Sequence, residues 1–191
     1  MEIAEAQSEL RNAYVHGGPG TLISGIVWLV AAITELNTNV ATGFTVLFFG
    51  GMFIFPAAKL VVQGLFRRQP ESKQNPGGLT VVETLFPMIS GLFTAWLILP
   101  DHPEFVFSIA AISVGAHYFG FRTAYGDWTF WGLGATMCTI GLTSILFAIP
   151  PRAMVAFAIA GTEVAFGFWL LFVDYQKQAS RSTSDQSTRT V

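Results

Sequence analysis

Six stretches of the chain run for about 20 residues almost without charge, and each ends at glycine, proline or a polar turn. This pattern narrows the choice of fold more than any other feature. A helix rises 1.5 Å per residue, so about 20 apolar residues cross a hydrocarbon core about 30 Å thick. The runs lie at about 21–35, 43–66, 79–99, 105–121, 128–149 and 152–173. They are too long for barrel strands and do not alternate, which leaves helices as the only spanning structure. Composition agrees: 52% of residues are hydrophobic and 12% charged, against roughly 25% charged in a soluble domain. The expected fold is an all-α integral membrane protein, a bundle of six transmembrane helices occupying residues 17–174.

An even number of spans puts both ends of the chain on one side, and positive charge selects the side. Arg11, Arg67, Arg68, Lys73, Arg122, Lys177, Arg181 and Arg189 fall on the terminal side, Arg152 alone on the other, and Lys59 within a run. Lysine and arginine are retained in the cytoplasm, so both termini are expected to be cytoplasmic. Residues 1–16 carry Ile3, Ala6, Leu10, Ala13 and Tyr14 on one helical face and read as an amphipathic segment lying at the interface. The segment 175–191 is rich in Ser, Thr and Gln and reads as a disordered tail.

Several function classes are excluded. A net charge of −2 leaves no basic patch for nucleic acid. The single cysteine, Cys138, allows neither an internal disulfide nor a CxxC site. Glu2, Glu5 and Glu9 occupy the place of the basic region of a signal peptide. The glycine-rich HGGPG at 16–20 lacks both a preceding strand and a following Lys-Ser/Thr, so it is a turn and not a phosphate loop. Asp101, His102 and Glu104 sit in a proline-bounded turn that reads as a turn, not a metal site. Haem ligation by His117 would lack a second histidine at matching depth, since His16 and His102 lie near opposite surfaces. No GxSxG elbow or HExxH motif is present. No enzyme activity, metal or cofactor is expected.

The ionisable residues inside the runs are the candidates for chemistry. Lys59, Glu83 and His117 (with Tyr118 beside it) fall in one layer near the cytoplasmic side, and Glu163 lies deeper, near the middle of the last run. A charge at the bilayer centre costs about 2.5–3.5 kcal/mol on insertion scales, so each must be paired, neutral or wet. In one account Lys59 snorkels, Glu83 reaches the headgroups and His117 is a neutral hydrogen bonder between helices. In the other, Lys59, Glu83, His117, Tyr118 and Glu163 converge on a polar pocket beside two helices weakened by Pro56 and Pro87. Glu163 is too deep to snorkel and must be protonated or bonded, with Lys59, His117 or the threonines of the fifth run as partners.

Small residues predict where helices approach closely. Thr21 and Gly25 mark such a face on the first run, Gly132 and Thr136 (continued by Thr139 and Thr143) on the fifth, and Ala160 and Gly167 flank Glu163 on the sixth.

GGPG before the first run, FFGGMFIFP in the second and GAHYFGFRTAYG in the fourth resemble a family of small, uncharacterised bacterial multi-pass membrane proteins, a domain of unknown function, over about residues 10–173. The resemblance implies a plasma-membrane protein and assigns no catalytic residue. Two functions fit the residues. One is a non-catalytic membrane module, a sensor or an assembly partner, whose partners are the lipid bilayer and a second copy or another membrane protein. The other is a small solute or proton-coupled transporter built on the inner polar cluster.

Overall fold

A computed structural model describes residues 1–189, with side chains to Ser180. Seven α-helices make up the fold: α1 (Ile3–Ala13), α2 (Gly18–Asn37), α3 (Val40–Gly64), α4 (Pro76–Ile98), α5 (Val106–Tyr125), α6 (Thr129–Phe147) and α7 (Val155–Arg189). The last six are long and apolar enough to cross a membrane. Their boundaries follow local chemistry. Asn39 accepts a hydrogen bond from the Thr42 amide at the start of α3, and Asn75 accepts from the Gly77 amide at the start of α4. Pro19 and Pro76 sit in the first turns of α2 and α4, where no donor is lost. Gly126, at φ +64°, ends α5. The expected turn at 122–127 is therefore shorter, because Arg122 to Tyr125 complete the last turn of α5.

The spanning helices form two layers of three. α2 lies between α3 and α7, α5 lies between α4 and α6, and the layers join mainly where α7 meets α6 and α5. Glycines set the closest approaches. A Cβ on Gly25 would stand 3.0 Å from the Val164 amide, and one on Gly167 3.0 Å from the Leu22 amide, so α2 and α7 touch backbone to backbone. Between α5 and α6, a Cβ on Gly134 would stand 2.6 Å from the Gly115 carbonyl, and one on Gly141 2.6 Å from that of Ser108. At the end away from the termini, Trp96 of α4 packs against Phe44, Phe48 and Phe49 of α3, and Phe107 links that cluster to Trp28.

At the start of the chain, the segment read as amphipathic is helix α1, and its apolar face packs on protein. Ala6, Leu10 and Ala13 are buried, Gln7 donates to the Thr123 carbonyl at 2.9 Å, Arg11 donates to that of Tyr125, and Glu9 accepts from the Ser72 amide at 2.8 Å. Its apolar face is short enough to be covered by the turns between α3 and α4 and between α5 and α6. The backbone then reverses through Val15, His16 and Gly17, all at positive φ. Glycine takes that conformation freely, whereas the other two are strained, at roughly 1–3 kcal/mol each. The segment expected to be a disordered tail continues α7 instead. Helix runs to Arg189, with residues 190 and 191 outside the described residues. Asp174 anchors that extension, accepting from Arg68 at 2.7 Å and from Gln178 one turn on. Elongating a helix already nucleated by packing is easy, which is why a polar composition alone does not end it.

Candidate functional site: a buried tyrosine–glutamate pair

Glu163 stands on the face of α7 that carries Ala156, Ile159, Ala160 and Leu170, all buried. The spacing of three and four residues makes it one continuous stripe turned to the bundle. Alanines on α7 and Gly25 on α2 bring these helices close enough to seal the carboxyl from solvent completely. Tyr118, from the middle of α5, reaches across and donates its hydroxyl to Glu163 Oε1 at 2.8 Å. Ser24 lies beside both groups and Thr21 beside the tyrosine. Glu163 Oε2 has no hydrogen-bond partner at normal geometry among the described residues. A carboxyl sealed this way is an ordering device: it pins α5 to α7 through one directional bond across an otherwise apolar interface.

His117 is next to Tyr118 in sequence but is turned about 100° round the helix from it, toward α4. Its Nδ1 lies 2.6 Å from Thr84 Oγ1 of α4. Thr84 Oγ1 is also within hydrogen-bond distance, 2.7 Å, of the Val81 carbonyl of its own helix, so the hydroxyl is held between that carbonyl and the imidazole. The edge of Phe121 closes over the imidazole at 4.6 Å between ring centroids. This is an interhelical clamp between α4 and α5.

Of the five residues of the anticipated cluster, only Tyr118 and Glu163 meet. His117 belongs to a separate contact. Lys59 is exposed on α3, at the rim of a shallow depression shared with Tyr14 and Glu71. Glu83 is exposed on α4. Depth alone groups these two with the cluster, and depth carries no information on which way a side chain points. Lys59, His117 and the α6 threonines are the partners anticipated for Glu163; Tyr118 and Ser24 take that place.

Of the anticipated packing residues, Thr21, Gly25, Ala160 and Gly167 lie in the α2–α7 contact. Gly132 and Thr136 do not lie in the α5–α6 contact. Both are exposed, and the Thr136 hydroxyl is bonded to the Gly132 carbonyl of its own helix. The face of α6 that packs carries Leu133, Gly134, Met137, Gly141 and Ser144. Reading the sequence also misses a polar layer at the terminal end of the bundle: Arg68 with Asp174, His16 with Asp127 at 3.8 Å, Tyr14 with Glu71 and Glu9 with Asn75. Its one sequence signal is that these residues all flank spanning runs on the same side.

No curated protein and no solved structure matches the chain. A family model does match, over residues 3–173, which takes in α1 as well as all six spanning helices. The chain therefore belongs to a family of unknown function, DUF7010.

Proposed function

We propose that this protein is a non-catalytic assembly module of a bacterial plasma membrane, with both termini cytoplasmic, and that the outward face of α4 binds a further membrane-embedded helix. The observation that carries this reading is a polar stripe on the least enclosed helix. Glu83, Pro87, Ser90 and Thr94 are all exposed, at spacings of three and four. Glu83 stands about two turns into α4 and has no hydrogen bond or ion pair among the described residues. Ionisable residues in spanning helices normally face a bundle interior or water, so a carboxyl on the outside of the bundle calls for a neighbour. Ser90 and Thr94 satisfy their hydroxyls on the Phe86 and Ser90 carbonyls, leaving short side chains on a face that another helix can approach closely. The transporter reading needs convergence, and the separation of Lys59, Glu83 and His117 from Glu163 weighs against it.

Cross-linking tests the proposal. Ser90→Cys in a Cys138→Ala background, treated with a short thiol cross-linker in native membranes, gives a product of twice the monomer mass or one joined to a second membrane protein. Labelling of the introduced thiol by a lipid-soluble maleimide without any cross-linked product, together with a monomer in native mass spectrometry, overturns it.

A further inference from the structure

At the terminal end of the bundle, α1 and the extension of α7 enclose a cavity of about 230 Å³. That is smaller than the roughly 300–1,000 Å³ of pockets for drug-sized ligands, and suits one compact polar group. The residues that line it are all polar or charged in type. Ser8, Arg11 and Asn12 come from α1, His16 from the reversal after it, and Asp174, Lys177 and Gln178 from α7.

The charges around it do not cancel. Asp174, the one carboxylate in the wall, is paired with Arg68 at 2.7 Å and also accepts from Gln178. Asp127 stands behind His16 and is bonded to the Thr129 amide at 2.9 Å. Arg11 donates one N–H to the Tyr125 carbonyl and keeps the rest of its fork. Lys177 is exposed and makes no ion pair among the described residues. Two cations are thus left facing a polar cavity. His16, only 3% exposed, closes one side of the cavity, with its Nδ1 turned to Asp127 Oδ2 at 3.8 Å.

We propose that this cavity binds a phosphate group, held by the Arg11 guanidinium and the Lys177 ammonium. Phosphate fits better than carboxylate. A planar fork and a mobile point charge from two different helices match a tetrahedral anion with several acceptor oxygens. The group comes either from a soluble phosphate or from the headgroup of an anionic phospholipid, since the cavity lies at the end of the spanning helices.

The test uses the full chain in nanodiscs of phosphatidylcholine, with thermal unfolding followed against inorganic phosphate and against glycerol phosphate, and repeated in nanodiscs of phosphatidylglycerol without added phosphate. The expected result is a saturable rise in Tm with at least one of the three. Response to inorganic phosphate identifies the soluble source, and response to phosphatidylglycerol alone identifies the lipid. Lys177→Gln changes an exposed side chain, so it keeps the ligand-free melting curve, and it weakens the response about tenfold, as loss of one charged hydrogen bond does. Lys73→Gln, which lies outside the cavity, responds as the wild type. A Tm indifferent to all three probes, or equal weakening by the two lysine variants, overturns the proposal.

Discussion

The hydroxyl of Tyr118 and the carboxyl of Glu163, 45 residues apart in sequence, meet at 2.8 Å with no solvent access to the acid. Each is the other's hydrogen-bond partner across the α5–α7 contact. Glu163→Gln keeps an acceptor oxygen and is expected to fold with wild-type stability. Glu163→Leu removes the carboxyl that accepts from the phenol and costs about 1–3 kcal/mol. Denaturation in mixed micelles measures both variants, and equal stability of Leu and Gln would show that the pair contributes nothing.

The α5–α6 contact gives a second expectation. Gly134→Ala places a methyl 2.6 Å from the Gly115 carbonyl, whereas Gly132→Ala meets only the Phe166 ring edge at 3.5 Å. The first should destabilise by about 1–3 kcal/mol through overpacking and the second should be nearly silent. Melting temperatures in detergent decide; a silent Gly134→Ala would mean that the helices separate at no cost.

The turn between α5 and α6 predicts a response to acid. His16 beside Asp127, together with the Thr129 amide bonded to it, holds the Asp127 carboxyl well below the usual carboxylate range. A lowered folded-state pKa means that the contribution is present above the unfolded value of about 3.9 and is lost as pH falls below it. The wild type should therefore lose stability below about pH 4, and Asp127→Asn should start lower and lose less over the same window. Parallel loss in the two proteins between pH 5 and 3 would assign the acid sensitivity elsewhere.

Reporter fusions test the orientation. A reporter active only in the cytoplasm should work after Val191 or near Ser72, and one active only outside should work near Asn39, His102 or Pro150. A cytoplasmic signal from position 102 contradicts six spans.

The spans are legible in the sequence because length and apolarity report directly on a slab of hydrocarbon. The inner faces are legible only in part, and the errors have one form. On α6, the sequence offers Gly132 and Thr136 as the packing stripe, whereas Gly134, Met137 and Gly141 pack. On α4, spacing groups Glu83, Pro87 and Ser90 as a face, while the residues that touch α5 are Thr84, against Gly120 and His117, and Gly91, against Ser113. Each helix offers two small or polar stripes turned one or two residues apart, and a lipid-facing glycine or threonine is indistinguishable from a packed one by composition. In a soluble helix the polar face would settle the register; where the outside is as apolar as the inside it cannot. Glu163 escapes the ambiguity because a mid-helix acid flanked by alanine has only one face open to it.

The strap made by α1 has a consequence for biosynthesis. Glu9 bonds to the amide of Ser72, 63 residues further on, and Gln7 and Arg11 bond to carbonyls more than 110 residues away. At roughly 5–20 residues per second, a ribosome takes about 3–13 seconds to supply even the nearest of these partners. Until then α1 is made before its seat exists, and α2 and α3 emerge while it waits. Helix α1 is thus made well before its partners and is among the last elements to find its place.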